Sequence, residues 1–231
     1  MNLNELSEQL LLQVKLERPV HELIVQLQSA PPSQLYAQLR EDDQKKAFWI
    51  NVYNAWFQIL RRDQGIAKPA IYREKLVAVA GLHLSLDEIE HGILRKYRIK
   101  WSGGYLANPF VPAQIRKLAV QARDYRIHFA LNCGAVSCPP IAFYTPDQID
   151  RQLDEATQSF LEMETEVHTE RNEVQVTRLF QWFIGDFGGR AGIRKILREK
   201  LQIDTTGKKL LFREYDRREA LGNFRFQQEG T

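Results

Sequence analysis

The chain has 231 residues, of which 44% are hydrophobic and 26% are charged, and its formal net charge is +3. This composition is that of a globular protein and excludes a disordered or fibrous chain. No apolar run approaches the ~20 residues of a membrane-spanning helix, and acidic residues precede the N-terminal leucines, which argues against a signal peptide. We therefore expect no membrane span and a cytoplasmic protein whose thiols stay reduced.

Charge is unevenly distributed along the chain. From Arg190 to Arg225 there are 11 Lys and Arg against 5 Asp and Glu. Apolar residues recur at helical spacing within this stretch, so we interpret the basic residues as the solvent face of an amphipathic helix. No signature of a nucleic-acid-binding module is present, and nucleic acid is not predicted as a partner.

Three short helices are predicted first, over Leu3 to about Lys15, His21 to Gln28 and Ser33 to Arg40. Pro19 and a Pro-Pro pair separate them. The helix that follows, in DDQKKAFWINVYNAWFQILRR, is the most strongly patterned segment of the chain.

One side of that fourth helix is apolar, and the other carries uncharged amides that include Asn51 and Asn54. A solvated face would normally carry Lys and Glu, so we expect the amide face to contact another element. The two asparagines either bond neighbouring loops or line a binding site, and the pattern leaves both open.

The segment KLVAVAGLHLSLDEIEHGILRKY begins with two short strands around Gly81. Ser85 and Glu88 have the spacing of a capping box that starts a helix. His91 lies opposite the apolar stripe of that helix, and we expect it to be exposed. Its ordinary pKa, near neutrality, suits proton transfer.

Alternation in RIHFALNC predicts a strand that directs Cys133 into the core and places His128 and Asn132 on the other face. Gly134 then begins a loop with Ser137 and Cys138. Two prolines follow Cys138 directly and exclude a nucleophile at the start of a helix, but they do not exclude a nucleophile on a loop.

Three kinds of chemistry compete for this loop. Cys138 could be a nucleophile with His128 or His91 as its base and with Asn132 or Asp186 orienting the imidazole. The CxxxxC spacing of the two cysteines is a weak redox signal. A metal site of Cys138, His128, His91 and Asp186 lacks paired zinc spacing, so we assign neither a metal nor a cofactor.

Thr145-Pro146-Asp147-Gln148 is expected to start another helix with a threonine cap. A strand, a short helix, a Gly-Gly break, a further helix and a last strand follow. Asp186, just before the break, is either a solvent-facing acid or an orienting partner of an imidazole. The prediction is a single α+β domain over residues 1–231, with a small, mainly antiparallel sheet packed by helices and a helical N-terminal layer at residues 1–40.

Five ordered blocks carry a family resemblance: FWINVYNAW, LSLDEIEHGILR, RIHFALNCGAVSCPP, YTPDQIDRQLDEA and FQWFIGDFGG. Over about residues 40–216 the chain resembles the family catalogued as domain of unknown function 547. The resemblance implies a family found alone in bacteria and appended to helical segments in plants, with suggested links to thiol redox proteins and to papain-like or transglutaminase-like folds. Where members commonly end in Tyr-Asp-Trp-Ser-Leu-Asn, this chain keeps Tyr215 and Asp216 and departs at the next two positions.

We expect the candidate site at the end of the predicted His128 strand. The preferred hypothesis is a thiol-dependent, hydrolase-like enzyme with catalytic residues Cys138, His128, His91 and Asp186 and binding residues Asn51, Asn54, Asn132 and Ser137. Asn51 or Asn54 would donate to an oxyanion. The alternatives are a non-catalytic module that binds a peptide or small molecule, and a thiol redox protein. The sequence contains no signal for oligomeric state.

Overall fold

The N-terminal layer consists of helices α1 (Leu3–Lys15), α2 (His21–Ser29) and α3 (Pro32–Gln38) in the computed structural model, which describes residues 2–225. These helices confirm the three predicted from the sequence. The side chain of Asn2 caps α1 by accepting from the backbone of Asn4. The apolar face of α1 packs mainly on a fourth helix, at Asp42–Gln58, and also on α2.

Helix α4 (Asp42–Gln58) is the centre of the fold and continues into a π-helical turn at Ile59–Asp63. Every residue from 45 to 60 is buried, since the helix is covered on all sides. The charged head of Lys45 donates to the Ala119 carbonyl at 2.9 Å. Complete burial explains why the second face of this helix carries amides rather than charges.

A short helix, α5 (Ala70–Arg73), leads into the predicted hairpin of strands β1 (Val77–Val79) and β2 (Leu82–Leu84). The strands are antiparallel, with Val77 opposite Leu84. The predicted capping box is also present, because Ser85 and Glu88 each bond the other's backbone N–H at 3.0 Å. The helix that it starts is π-helical over Glu88–Leu94.

The remaining middle elements are short: a 3-10 turn at Lys100–Ser102, helix α6 (Ala113–Leu118) and a 3-10 turn at Tyr125–Phe129. The last of these corrects the prediction of a strand in RIHFALNC. Ile127 to Asn132 are all buried, so the alternation did not mark an inner and an outer face. The side chain of Asn54 binds backbone groups of Ala130 and Asn132 that a strand would offer to its neighbour.

Helix α7 (Ile149–Glu164) begins four residues after Thr145, and Gln148 rather than Thr145 is its N-cap residue. Strands β3 (Glu166–His168), β4 (Glu173–Val176) and β5 (Lys209–Phe212) form the second sheet, with β3 antiparallel and β5 parallel to β4. Helices α8 (Leu179–Trp182) and α9 (Gly189–Leu201) lie between β4 and β5 in the chain. The predicted α+β class is confirmed, and two of the three strand pairings in the described part of the chain are antiparallel.

Two hydrophobic cores organise these elements. The larger core surrounds α4 and includes α1, the hairpin and the π-helix at Glu88–Leu94. The smaller core joins α7, α9 and the second sheet. Ile127 belongs to the first core and Phe129 to the second, so the 3-10 turn between them brings His128 to the junction of the two. Within residues 2–225, no helix combines the length and apolar character that crossing a membrane requires.

Candidate functional site

A cavity of about 680 Å³ opens at the junction of the two cores. Its walls come from α4, the π-helix, the segment after the 3-10 turn of His128, α8 and the segment after β5. Six aromatic side chains line it: Tyr53, Tyr72, Trp101, Trp182, Phe183 and Tyr215. Its volume and its combination of aromatic and polar side chains are typical of a small-molecule site.

Both cysteines lie in the cavity wall, and they form a disulfide with a Cα–Cα distance of 6.1 Å. Cys133 is half-buried, whereas Cys138 is only 4% exposed. These findings correct two expectations, that the thiols are reduced and that Cys133 is the inner cysteine. Gly134 reverses the chain after Cys133 with φ +68, and a Cβ there would lie 2.6 Å from the Phe57 ring. This turn allows a small ring that alternation along a strand would forbid.

Asn132 holds the disulfide loop, residues 133–138, in its closed conformation. Its Oδ1 accepts from the Gly134 N–H at 2.8 Å, and its Nδ2 donates to the Pro139 carbonyl at 2.7 Å. The amide is fully buried and bonds both ends of the loop. Asn132 therefore sets the position of the two sulfurs and is itself outside the cavity lining.

Asn51 and Asn54 act in the same way on other segments. Asn51 accepts from and donates to the backbone of Tyr144, at 3.1 and 2.8 Å. Asn54 donates to the Ala130 carbonyl and accepts from the Asn132 N–H, both at 2.9 Å. Neither amide lines the cavity, so the geometry corresponds to the loop-bonding alternative and not to donors for an oxyanion.

The sulfur atoms receive hydrogen bonds from two groups. The backbone N–H of Cys133 donates to Cys138 Sγ at 3.0 Å. The Tyr215 hydroxyl lies 3.0 Å from Cys138 Sγ and 3.1 Å from Cys133 Sγ. Burial raises the pKa of Tyr215 to about 12, so its hydroxyl keeps its proton at neutral pH and can donate to either sulfur.

Ser137 positions Tyr215 rather than lining the cavity. Its Oγ accepts from the Asp216 N–H at 3.0 Å, and its own N–H donates to the Asp216 carbonyl at 3.3 Å. The disulfide loop and the segment after β5 are thereby held together. Tyr215 is a cavity residue that was not among the predicted site residues, although the family resemblance had marked the Tyr215–Asp216 pair. Its approach to the loop depends on strand β5 and the rest of the second sheet, which local sequence does not show.

His128 lines the cavity and is hydrogen-bonded to Asp186, which is not a lining residue. Asp186 Oδ2 lies 2.9 Å from His128 Nε2 and 2.7 Å from Arg95 Nε, and its Oδ1 lies 3.1 Å from Arg123 Nη1. Burial alone would raise the pKa of Asp186, but the His128 hydrogen bond and the Arg95 charge lower it to about 2. The ionised carboxylate must accept, so His128 carries its proton on Nε2 and, when neutral, has a basic Nδ1.

Burial lowers the pKa of His128, which favours the neutral ring. The ring stacks on Phe183 with centroids 3.9 Å apart. Asp186 was expected either to face solvent or to orient an imidazole, and its side chain is only 4% exposed and bonds His128. Histidine and aspartate thus have the arrangement of an oriented general base.

His91 is buried, with 8% exposure, which corrects the expectation that it lies on an exposed face. His91 lies on the π-helical segment Glu88–Leu94, which packs against both α4 and α6. Arg95 Nη1 lies 2.8 Å from His91 Nδ1. Burial and the neighbouring Arg95 charge lower the pKa of His91 to about 3, so the ring is neutral at physiological pH.

Arg95 is the residue that sequence reasoning missed most clearly. Its side chain is 1% exposed, and it joins His91 to Asp186 and thus to His128. The only sequence signal is the spacing of four residues between His91 and Arg95, which on its own is common. Across residues 2–225, no three His, Cys, Asp or Glu side chains are arranged to hold a metal ion.

Comparison with known proteins gives one match. A family model described as "Protein of unknown function, DUF547" matches residues 36–161. The matched range includes both cysteines, His91, Arg95 and His128, while Asp186 and Tyr215 lie beyond it. Neither the curated proteins nor the solved structures contain a match to this chain.

Proposed function

The chain belongs to the DUF547 family of proteins of unknown function, and from this premise we propose that it performs thiol–disulfide exchange with a small substrate in the cavity. The observation that carries the proposal is the Cys133–Cys138 disulfide in the wall of a 680 Å³ cavity, with hydrogen-bond donors on its inner sulfur. A link to thiol redox proteins is also one of those suggested for the family that the sequence resembles.

The two sulfurs differ in a way that assigns them roles. Cys133 is half-buried and accessible from the cavity, so an incoming thiolate attacks its Sγ. The S–S bond breaks and Cys138 leaves as a thiolate. That thiolate is stabilised by the Cys133 N–H and by the Tyr215 hydroxyl, and a stabilised leaving thiolate accelerates exchange.

The second half of the exchange completes the transfer of two electrons. The second thiolate of a dithiol substrate attacks the substrate sulfur that is bonded to Cys133 Sγ. This forms the substrate disulfide and releases Cys133 as a thiolate, while the two protons lost by the substrate pass to the protein thiols or to water. The same steps in reverse reduce a disulfide substrate, and the direction follows from the two reduction potentials.

Positive charges near the sulfurs favour the thiolates that these steps require. Lys68 and Arg217 both line the cavity, and Lys68 Nζ donates to the Cys133 carbonyl at 2.9 Å. Desolvation lowers the pKa of Lys68. Cationic neighbours lower thiol pKa values below the ~8.5 of a free cysteine.

The test is a single-turnover reaction of the oxidised protein with one equivalent of dithiothreitol at neutral pH without denaturant. We expect two free protein thiols and one oxidised dithiothreitol per chain, measured by alkylation and mass spectrometry. The Cys133→Ser variant is the control and should oxidise none. A disulfide that stays intact in native protein and opens only on unfolding would show a purely structural bond and overturn the proposal.

A second candidate is a Cys–His hydrolase in the reduced protein, and the Asp186–His128 contact at 2.9 Å favours it. His128 and Cys138 line the same cavity, and the unprotonated Nδ1 of His128 can accept a proton from a thiol. In this mechanism Cys138 attacks an acyl carbon and the acyl group transfers to sulfur before water releases it.

The reduced protein and p-nitrophenyl acetate distinguish this second candidate. It predicts acylation of Cys138 that persists in Cys133→Ser, falls at least tenfold in His128→Gln and continues through many turnovers. Acylation without turnover, or acylation unaffected by His128→Gln, would reject the hydrolase and leave the exchange reaction unaffected.

A further inference from the structure

The charged side chains that line the cavity are unevenly distributed around it. Within residues 2–225 the lining contains three cations and two acids: Lys68, Lys100, Arg217, Asp87 and Glu90. The two histidines of the lining are neutral at physiological pH, because burial lowers the pKa of both rings. The sign of the charge that a ligand meets therefore depends on which of these side chains already have partners.

The charges on the π-helical side of the cavity balance one another. Asp87 pairs with Lys100 at 2.7 Å. The buried Arg95 beside His91 pairs with Asp186, also at 2.7 Å. Three carboxylates and three cations are present on this side: Asp87, Glu90 and Asp186, with Lys100, Arg95 and Arg123. This side therefore has no excess charge that would attract or repel a ligand ion.

On the disulfide side, the two lining cations pair with no carboxylate among residues 2–225. Lys68 donates to the Cys133 carbonyl at 2.9 Å, and its ammonium group has further N–H donors. The Arg217 guanidinium lies 5.6 Å from the centre of the Trp182 ring. Burial and the charge of Arg217 both lower the pKa of Lys68, so the two cations are close enough to interact. Both residues are exposed, and a ligand can reach them from solvent.

The two acids that flank Arg217 in the chain are paired with other residues. Asp216 pairs with Arg218 at 2.5 Å, and Glu219 pairs with Arg61 at 2.6 Å. Each of these pairs is neutral overall, so neither compensates the two lining cations. The disulfide side of the cavity consequently has an excess of positive charge that an anionic ligand group can neutralise.

Both lining cations lie beside the sulfurs that react in the proposed exchange. Lys68 contacts Cys133 itself, and Arg217 is two residues after Tyr215, whose hydroxyl lies 3.1 Å from Cys133 Sγ. A thiolate that attacks Cys133 Sγ brings its own substituents to this place. A carboxylate two carbon atoms from the attacking sulfur can thus reach the cations, whereas an ammonium group there would be repelled by them.

We propose that Lys68 and Arg217 bind a carboxylate of the exchange substrate, which makes small anionic thiols, and the disulfides that they form, the substrate class of this cavity. The assignment of a thiol substrate rests on the proposed exchange function. The binding of a carboxylate beside Cys133 does not depend on it, so the two can be tested separately.

The first test compares 3-mercaptopropionate, 2-mercaptoethanol and cysteamine as reductants of the oxidised protein at neutral pH and low salt. Each rate constant is divided by that of the same thiol with bis(2-hydroxyethyl) disulfide, which removes differences in thiol pKa and nucleophilicity. We expect the normalised rate of 3-mercaptopropionate to exceed that of 2-mercaptoethanol about three- to tenfold, the effect of two partly exposed ion pairs. Cysteamine should be the slowest, and high salt should reduce the differences.

Variants assign the preference to the two cations. Lys68→Gln and Arg217→Gln should each reduce the advantage of 3-mercaptopropionate, and the double variant should remove it. Arg218→Gln is the matched control, because it makes the same change of charge at the next residue, which is outside the cavity lining. Loss of a cation can also slow the departure of the Cys138 thiolate, but that effect is equal for all three thiols and cancels in the ratio.

The second test needs no exchange reaction. In Cys138→Ser the remaining thiol is Cys133, and its alkylation by iodoacetate, an anion, is compared with its alkylation by neutral iodoacetamide. We expect the ratio of the two rates to be about threefold or more above that of N-acetylcysteinamide, and to return to that value when Lys68→Gln and Arg217→Gln are added.

The outcomes separate the two proposals. A native disulfide that reacts with none of the three thiols would overturn the exchange function, and the alkylation ratio would then decide the carboxylate site. Equal normalised rates for the three thiols, a preference for cysteamine, or an alkylation ratio equal to that of N-acetylcysteinamide would overturn the carboxylate site.

Discussion

The Tyr215 hydroxyl lies 3.0 Å from Cys138 Sγ, although 77 positions separate the two residues in the chain. The contact joins the disulfide loop to the segment that follows the second sheet. It also gives the inner sulfur a side-chain donor in addition to the Cys133 backbone N–H. Loss of this donor is therefore the most specific perturbation of the proposed exchange.

Tyr215→Phe should slow reduction of the disulfide by dithiothreitol about tenfold or more. A hydrogen bond to a charged group contributes roughly 1.5–3 kcal/mol, and the departing Cys138 thiolate loses one. Stopped-flow measurement under pseudo-first-order conditions gives the rate. Tyr72→Phe is the control, since Tyr72 lines the same cavity and should leave the rate within about twofold. Equal slowing in the two variants would show that the hydroxyl has no specific effect on sulfur.

Asn132→Ala should lower the free energy of unfolding by about 2–4 kcal/mol. The change removes two buried hydrogen bonds and leaves the Gly134 N–H and Pro139 carbonyl without their partner. Urea unfolding of the oxidised protein measures the effect. Val136→Ala in the same loop is the control, because Val136 is 47% exposed and its truncation should cost less than about 0.5 kcal/mol. A loss below 1 kcal/mol for Asn132→Ala would contradict its role in holding the loop.

Asp186→Asn should destabilise the fold by about 3–5 kcal/mol, because it leaves the charge of Arg95 buried without a carboxylate. Thermal and urea unfolding both report the change. Asp87→Asn is the matched control, since its partner Lys100 is half exposed and such ion pairs contribute about 0–1 kcal/mol. Similar losses for the two substitutions would contradict the distinction between the buried and the exposed pair.

Stability should fall as the solution becomes acidic, starting near pH 6.5. The folded-state pKa of His91 is lowered to about 3, so the unfolded chain binds the proton more readily. This contribution is fully present above pH 6.5 and is lost as pH falls toward 3, at up to about 1.4 kcal/mol per pH unit. The pKa of His128 is also lowered, so His128 adds to the same slope. Asp186, with a pKa of about 2, adds to the slope only below pH 3.8, where its stabilising contribution begins to be lost.

His91→Gln removes one of these titrations and should make the slope between pH 6.5 and 3 shallower by up to about 1.4 kcal/mol per pH unit. Urea unfolding at a series of pH values measures both slopes. His83→Gln, the same substitution at an exposed histidine, is the matched control. An identical slope in His91→Gln would contradict the buried, neutral state of His91.

Local periodicity was sufficient to predict much of the fold. Helix α4, the hairpin around Gly81 and the Ser85–Glu88 capping box follow from spacing over a few residues, and each is present. The segment around His128 could not be predicted in this way. Its backbone bonds the Asn54 side chain, 76 positions away from Ala130, so tertiary contacts replace the strand partner.

In the candidate site, too, the residue types could be predicted from the sequence, whereas their contacts could not. His91, His128, Asp186 and Cys138 could be singled out by residue type, but their surroundings depend on how the two cores meet. The burial of Arg95 and the approach of Tyr215 to the sulfurs arise only when distant segments pack. The disulfide itself depends on the Gly134 turn and on the Asn132 bonds that close the loop.

The most direct measurement of the central claim maps which sulfur is attacked. Oxidised protein is treated briefly with 2-mercaptoethanol, the free thiols are alkylated in acid, and the peptides are mapped by mass spectrometry. The account predicts mercaptoethanol on Cys133 and the alkyl group on Cys138, because Cys138 leaves as the stabilised thiolate. Mercaptoethanol on Cys138, or no adduct in native protein, would contradict it.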